Sequence, residues 1–231
     1  MTSIIVSYDG TANEDDAVAL GRLFGQAGAE VSLAYVRHTF EPDSAREDIA
    51  QHEARALLDR GAQLLGDEHA ARHVVTDRST PEGLAALAER EGADVIVFCS
   101  DSHTARGHIA IGNSAQRLLD GGATAIAIAP VGFAQQSEAN VQRIVGIGEP
   151  GGDGSVQATA QALAQALGAT VVRVADEHAD LLVIDSRTEA APGRVSLSAS
   201  AAHLIEIATC PVLVTPRGVT LSFGRTAALT A

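Results

Sequence analysis

The sequence predicts an α/β protein built from two repeated open parallel sheets, of which the second lacks a helix, a strand and another helix. The segment that begins at Ile4 aligns without a gap with the segment that begins at Ile144, at an offset of 140 positions. Ala93–Val97 aligns with Ala179–Val183 at an offset of 86. Since the offsets of 140 and 86 differ by 54, the second half lacks about 54 residues of the first. Strand and helix patterns also alternate, which is typical of parallel pairing with helices on both faces.

The first strand is predicted at Ile4–Tyr8, a short apolar run that ends in the turn sequence Asp-Gly-Thr-Ala-Asn. A helix follows, because apolar residues then recur at helical spacing until Gly28. Its first turn contains three acidic residues, Glu14–Asp16, which we interpret as complements of the helix dipole on a solvated surface. The second strand is predicted at Val31–Val36.

The rest of the first half continues this alternation. A long helix, Ser44–Leu65, precedes a short and more polar strand, Arg72–Val75, which we place near an edge of the sheet. Pro81 lies at the start of the next helix, where its fixed backbone angle is favourable. The most apolar strand, Asp94–Cys99, is predicted to be central. The remaining elements are a helix at Ser114–Leu119 and a strand at Ala123–Ala129.

These elements divide the chain into a complete unit, 1–132, and an abridged unit, 143–217. The polar residues 133–142 carry no periodic signal and are predicted to link the two units. Residues 218–231 are predicted to be a tail, in which Leu-Ser-Phe could add a strand or a contact. In the abridged unit the chain passes through Ala175–His178 directly to the equivalent of the central strand. The surface that the lost helices covered must therefore be covered by something else.

Composition narrows the class of protein. Apolar residues make up 46% of the chain, so a core forms readily, and the net charge of −13 repels phosphate backbones. We therefore predict that neither nucleic acid nor a membrane is a partner. The two cysteines, Cys99 and Cys210, are too few for a disulfide framework or a zinc quartet, and buried thiols in a reducing cytosol are expected. Because the N-terminus has no basic region or long apolar run, a soluble cytoplasmic protein is predicted.

Other motifs that carry chemistry are weak or missing. His69 and His73 have the spacing of metal ligands on a helix, but a strand pattern follows at once and no third ligand lies close by, so no metal site is predicted. All 16 Lys and Arg residues are arginine, which excludes Lys-based phosphate binding and Schiff-base chemistry. Gly146–Gly151 matches the spacing of a dinucleotide fingerprint, and we interpret it as a loosened copy of the Asp9 loop.

Candidate binding residues follow the strands, because ligands of open parallel sheets bind beyond the carboxyl ends of the strands. Helix N-termini there offer free N–H groups to phosphate. Asp9 follows the first strand, and its carboxylate could accept hydrogen bonds from a ribose or a base. Alternatively, Asp9 only orders the Asp-Gly turn locally. The other candidate positions are Val36, Cys99–Ser102 and Gly112–Ser114.

Four motifs in this order resemble the universal stress protein family in its tandem form. They are the opening strand with Asp-Gly, the apolar central strand, the sequence GNSAQRLL at Gly112–Leu119, and the closing TCPVLV at Thr209–Val214. The resemblance extends to about Arg217. It implies five-stranded parallel sheets of the adenine-nucleotide α-hydrolase-like type, dimer-like pairing through the last strands, and ATP binding in some members but not in others.

ATP-binding members of this family are similar in carrying a glycine signature, G-x2-G-x9-G-(S/T), after the central strand. Its glycines let the backbone approach the triphosphate, and its hydroxyl contacts phosphate. Only one of these glycines is kept in the first unit and none in the second, and the strand-end Asp9 becomes Glu149. The four slots are Cys99, Ser102, Gly112 and Asn113 in the first unit, and Asp185, Thr188, Ser198 and Ala199 in the second.

The resemblance places a candidate ATP site, with Mg²⁺ accompanying the nucleotide, in the first unit alone. Small polar side chains in the loop could still donate hydrogen bonds to phosphate although the glycines are lost. No catalytic residue is assigned. The residues of this candidate site are Asp9, Val36, Ser100, Ser102, Gly112, Asn113 and Ser114.

We therefore predict a universal stress protein-like regulatory or binding protein of the stress response, without turnover and with degenerate nucleotide motifs. The alternative is an ATP-binding protein that uses the first unit and hydrolyses ATP slowly at most. A third hypothesis, an enzyme of the related nucleotide-hydrolase superfamily, requires a Ser-Gly-Gly loop after the first strand, which is missing. For partners, we predict an intrachain pseudo-dimer through Ala123–Ala129 and Val212–Thr215, or a homodimer of chains, with a protein partner as a further option.

Overall fold

The computed structural model describes residues 1–11, 13–136, 141–172 and 179–224. In these ranges nine strands form a single sheet, and helices cover both of its faces. The predicted α/β class with mostly parallel, open sheets is thereby confirmed.

The first half contains five strands and four helices, which alternate as predicted. The longest helix, α2, begins where the Asp43 side chain accepts a hydrogen bond from the Arg46 N–H at 3.0 Å. It ends at Gly66, whose φ of 80° lies in the left-handed region that glycine adopts easily. The elements are β1 Ser3–Ser7, α1 Glu14–Gln26, β2 Glu30–Arg37, α2 Ser44–Leu65, β3 Arg72–Thr76, α3 Thr80–Glu91, β4 Val95–Cys99, α4 Asn113–Leu119 and β5 Ala125–Ala129.

The second half is shorter and repeats part of this order. The predicted passage through residues 175–178 lies outside the described residues. The elements are β6 Arg143–Ile147, α5 Ser155–Leu167, β7 Thr170–Val171, β8 Leu181–Asp185, α6 Ala199–Ile207 and β9 Val212–Thr215.

The strand order is β3-β2-β1-β4-β5-β9-β8-β6-β7. The polar strand β3 lies at one edge, as its sequence predicts. All neighbouring strands are parallel except β5 and β9, which pair antiparallel with Ala127 opposite Leu213. The closing strands of the two halves therefore join them into one sheet. Because β5 and β9 run in opposite directions, the carboxyl ends of β1–β5 and those of β6–β9 lie at opposite ends of the sheet along the strand direction.

A hydrogen bond at the start of β1 has an equivalent at the start of β6, between residues that are related by the two sequence offsets. In the first half, Asp94 Oδ2 accepts a hydrogen bond from the Ser3 N–H at 2.9 Å. In the second half, Asp180 Oδ2 accepts one from the Arg143 N–H, also at 2.9 Å. Ser3 and Arg143 are 140 positions apart, and Asp94 and Asp180 are 86 positions apart. The two halves therefore share local geometry as well as strand order.

The sheet separates two apolar cores. Helices α1, α2 and α5 pack on one face, where Leu20 and Leu163 are fully buried. Helices α3, α4 and α6 pack on the other, where Leu87 and Ile205 are fully buried. Burial of such aliphatic side chains supplies most of the stabilisation of a core that contains no tryptophan.

The prediction that the acidic first turn of α1 lies on a solvated surface is wrong for two of its three residues. Glu14 is 7% exposed and Asp16 is 4% exposed. Asp16 accepts hydrogen bonds from the Gly132 N–H at 2.8 Å and the Ala134 N–H at 2.7 Å. These bonds hold the start of the predicted linker against α1, where Phe133 is buried in a short 3₁₀ helix.

The start of the predicted tail is packed against both halves. Leu221 is 3% exposed, and its N–H donates to Thr159 Oγ1 on α5 at 3.0 Å. The ring of Phe223 stacks on Phe24 of α1, with 5.8 Å between the ring centroids. Thr2 Oγ1 also donates to the Ser222 carbonyl at 2.6 Å. We call residues 219–224 the C-terminal strap; the strap covers apolar surface between α1 and α5.

Candidate functional site

A cleft of the first half lies beyond the carboxyl ends of β1, β2 and β4. It consists of two adjoining cavities of about 410 and 310 Å³, which share Asp9, Glu14 and Ser114 among their lining residues. We call them the β2 cavity and the loop cavity. The structure brings all seven predicted site residues together here. Val36 lines the β2 cavity; Ser100, Ser102, Gly112 and Asn113 line the loop cavity; Asp9 and Ser114 line both.

Asp9 orders the turn after β1. Its Oδ1 accepts a hydrogen bond from the Thr11 N–H at 3.0 Å, which is the local role that its Asp-Gly sequence favours. The side chain is exposed at the mouth of the cleft. One carboxylate oxygen is thus used within the turn, and the side chain still faces both cavities.

Glu14 is a cleft residue that sequence reasoning missed. From the first turn of α1 its Oε2 reaches back to the turn, where it accepts hydrogen bonds from the Asp9 N–H and, at 3.0 Å, from the Gly10 N–H. Burial raises the pKa of Glu14 to about 9, and the neighbouring Asp9 side chain adds to this effect. The carboxyl group is therefore mainly protonated at neutral pH. Its position five residues after Asp9 gives no sequence signal that separates it from an ordinary helix-start acid.

The loop that follows β4 is folded back on itself. Ser100 is 2% exposed, and its hydroxyl accepts a hydrogen bond from the Ala110 N–H at 2.7 Å. Most amides of the loop therefore donate within the chain rather than into the cleft. The N–H groups engaged in this way are those of Ser100, Asp101, His103, Thr104, Gly107, His108 and Ala110.

The loop after β8 has the same hydrogen-bond pattern. Gly107 donates to the Val131 carbonyl, and Gly193, 86 positions later, donates to the Arg217 carbonyl. Both glycines have positive φ, 81° and 71°, which explains why glycine is retained at this position. Ser186 accepts a hydrogen bond from the Ser196 N–H, as Ser100 does from Ala110. The four slots of the glycine signature did not reveal this second, backbone-defined repeat.

We expect Ser100→Ala to lower the free energy of unfolding by about 1–3 kcal/mol, because the half-buried Ala110 N–H would lose its acceptor, the buried Ser100 hydroxyl. Urea unfolding measures the loss. The matched control is Ser102→Ala, since the Ser102 side chain is exposed on the same loop. Equal stability of the two variants would show that the Ser100 hydroxyl does not hold the loop.

The β2 cavity combines apolar walls with polar groups. Ala34, Val36 and Phe98 contribute apolar surface. His38 lies at its edge, where Nδ1 is 3.1 Å from the Asp77 carbonyl and Nε2 is 3.3 Å from Thr80 Oγ1. Apolar walls with a few polar groups are typical of sites for small organic ligands. His38 and Thr80 were absent from the predicted site because they are 42 positions apart and only the folded chain brings them together. Phe98 was absent because its sequence pattern is that of an ordinary apolar strand residue.

The residues around the loop cavity do not form a nucleophilic site. Ser102 Oγ and Asp101 Oδ1 both face Nδ1 of His103, at 3.2 and 3.4 Å, whereas a triad requires the serine and the acid to face different ring nitrogens. The His103 side chain is also 94% exposed. Burial raises the pKa of the Cys99 thiol to about 12, so this thiol is not a thiolate at neutral pH.

Acidic side chains occupy the equivalent strand ends of the second half. Glu149 accepts a hydrogen bond from the hydroxyl of Ser198. Asp185 is 4% exposed, and its Oδ1 has no hydrogen-bond partner among the described residues. Burial raises the pKa of Asp185, and the nearby Asp153 and Glu149 add to this effect. Carboxyl groups therefore lie at the ends of both β6 and β8 in the second half.

The structure is that of an α/β protein with a cleft beyond the carboxyl ends of a set of parallel strands. A model of the universal stress protein family matches residues 1–129, and the chain belongs to this family. No curated protein matches the chain significantly in sequence.

Solved structures share the fold over nearly the whole chain. A universal stress protein from Archaeoglobus fulgidus DSM 4304 is similar with a TM-score of 0.68 and 12% identity, covering 94% of this chain and 98% of that one. A functionally unknown protein from Pseudomonas aeruginosa PAO1 is similar with a TM-score of 0.63 and 13% identity, covering 94% and 93%. At these identities the likeness concerns the fold alone.

None of the helices in the described ranges combines the length and apolar composition that a bilayer crossing requires. Within the same ranges, no group of three or more histidine, cysteine, aspartate or glutamate side chains is arranged to hold a metal ion. His73 instead lies on β3, 3.9 Å from Glu91, and His69 precedes that strand.

Proposed function

We propose that this chain is a regulatory protein of the stress response that binds a ligand reversibly in the cleft of its first half, without turnover. The observation that carries the proposal is the convergence of the seven predicted residues on two adjoining cavities at the carboxyl edge. The absence of a nucleophilic arrangement around Cys99, Ser102 and His103 supports binding rather than catalysis.

The second candidate function is adenine-nucleotide binding with slow ATP hydrolysis at most. Gly112 favours it, because no atom lies within 4 Å of the Cβ that a larger residue would have, so the backbone at the start of α4 is open to a ligand. Ser114 and Asn113 offer polar groups beside it. ATP would require Mg²⁺ to offset the acidic side chains of the loop cavity.

We expect adenine nucleosides or nucleotides to bind at one site per chain, and Ser114→Val to weaken this binding by about tenfold or more, equivalent to ~1.4 kcal/mol. Ser114 lines both cavities, so a branched apolar side chain would fill part of the cleft and remove a polar group. Isothermal titration with adenosine and with ATP and Mg²⁺ measures the change.

The matched control is Ser200→Val, because Ser200 is the second residue of α6 as Ser114 is the second residue of α4. It should leave binding unchanged. If a folded protein gives no saturable heat with millimolar ligand, the cleft is not a nucleoside or nucleotide site, and the search should turn to protein partners. Release of ADP from ATP at rates above those of the buffer would contradict the absence of turnover.

We also propose that residues 1–132 and 143–217 are a complete and an abridged copy of one ancestral unit, joined by 133–142. The repeated hydrogen bonds of Asp94 and Asp180 support this division. A homodimer of chains is a further proposal, and light scattering at micromolar concentration tests it; a monomer would contradict it.

A further inference from the structure

The loop cavity offers few groups that would bind phosphate. Its described lining includes three acidic side chains, Asp9, Glu14 and Asp101, and no arginine or histidine. The N–H of His103 lowers the pKa of Asp101, so this side chain is ionised at neutral pH. A phosphate group needs cations or free N–H donors, and here it would face at least one negative charge.

The N–H donors of the turn after β1, and most of those in the loop after β4, are already engaged. The loop after β4 uses most of its amides for internal hydrogen bonds, such as Asp101 to Ala110. At the end of β1, the two amides of Asp9 and Gly10 donate to Oε2 of Glu14. Glu14 is buried and lines both cavities, so the group that takes up these two amides is itself part of the cleft wall.

We propose that Glu14 makes the cleft selective for a nucleoside-type ligand without phosphate, because its side chain occupies the two N–H donors at the end of β1. This inference rests on the proposed function, since it names the class of ligand that the same cleft binds. A planar base and a sugar suit the β2 cavity, where Val36 and Phe98 provide apolar contact and His38 and Thr80 provide polar edges.

Glu14 disfavours phosphate because it accepts the hydrogen bonds of the Asp9 and Gly10 N–H groups, not because of a negative charge. Burial keeps Glu14 mainly protonated at pH 7, so repulsion by its carboxyl group is weak there. A glutamine at this position would fill the same space and accept the same hydrogen bonds. An alanine would leave the N–H groups of Asp9 and Gly10 free to donate to a ligand oxygen. The two substitutions therefore distinguish occupation of the two N–H donors from loss of the Glu14 carboxyl group.

The test compares adenosine with AMP, which differ by one phosphate, in isothermal titrations at pH 7. For the unchanged protein we expect AMP to bind at least about tenfold more weakly than adenosine. Glu14→Ala should bring the affinity for AMP to within about threefold of that for adenosine. Glu14→Gln should keep the discrimination of the unchanged protein, because it keeps the donors occupied.

The outcomes distinguish failure of the proposed selectivity from failure of ligand binding in the cleft. Equal or tighter binding of AMP by the unchanged protein would overturn the selectivity and leave ligand binding in the cleft intact. Discrimination that survives Glu14→Ala would overturn the role of Glu14. If neither compound binds, both proposals fail. Should Glu14→Ala not fold, the Gly10 amide resonance of the unchanged protein serves instead: it should not move on addition of inorganic phosphate, and a saturable shift would overturn the inference.

Discussion

Glu14→Gln is expected to raise the free energy of unfolding at pH 8 by ~2 kcal/mol or more, and to leave it nearly unchanged at pH 4. The folded protein holds the Glu14 proton up to a pKa of about 9, whereas the unfolded chain releases it near 4.5. Ionisation therefore favours the unfolded chain, and stability falls as pH rises through this window. Glutamine has no proton to lose, so this loss disappears. The backbone N–H donors of Asp9 and Gly10 reduce the effect, because they stabilise an ionised Glu14.

Urea unfolding of both proteins at intervals between pH 4 and pH 9 measures this difference. Glu89→Gln is the matched control, since Glu89 is an exposed glutamate on α3 and the substitution is the same. If the unfolding free energies of the unchanged protein and Glu14→Gln stay parallel over the whole range, Glu14 is ionised in the folded state and its burial has been compensated.

Removal of residues 218–231 should destabilise the protein by roughly 5 kcal/mol, because Leu221 and Phe223 would no longer cover the core between α1 and α5. The strap also contributes hydrogen bonds from Gly224 to the Ala27 carbonyl and from Leu221 to Thr159. We expect urea unfolding to shift to lower denaturant, and gel filtration to show self-association through the exposed apolar surface.

The control for this prediction is a chain that ends at Gly224, which keeps the whole strap and removes 225–231 alone. It should unfold like the full chain. A second variant, Leu221→Ala, should lose about 2–4 kcal/mol without shortening the chain. If the shortened chain and the full chain unfold at the same denaturant concentration, the strap covers the core without stabilising it.

Much of the fold could be predicted because local signals carry it. Ser44–Leu65 was predicted with the bounds that the structure has, since Asp43 and Gly66 mark the two ends of the helix. The edge position of β3 also agrees with its short, polar sequence. Apolar runs, caps and turn residues act over a few positions, so a single sequence shows them directly.

Features that depend on distant partners could not be predicted in this way. Asp16 resembles any acid at a helix start, and its burial depends on the N–H groups of Gly132 and Ala134, which are more than 100 positions away. The packing of Leu221 depends likewise on Thr159 of another helix. The predicted site residues were brought together by the strand order, but Glu14 was missed because its partners are backbone amides that have no signature in the side chains.

Both halves of the sheet belong to one chain and meet at the antiparallel pair β5–β9, so their sequences can differ, unlike those of two identical subunits. In a symmetric dimer every substitution appears in both subunits, so a change that alters one binding site alters the other as well. Here, Asp185 and Glu149 change the second half while Cys99 and Asp9 remain in the first. A substitution can therefore change the strand ends of one half without changing those of the other, and the single chain keeps the two halves at a ratio of one to one in every molecule.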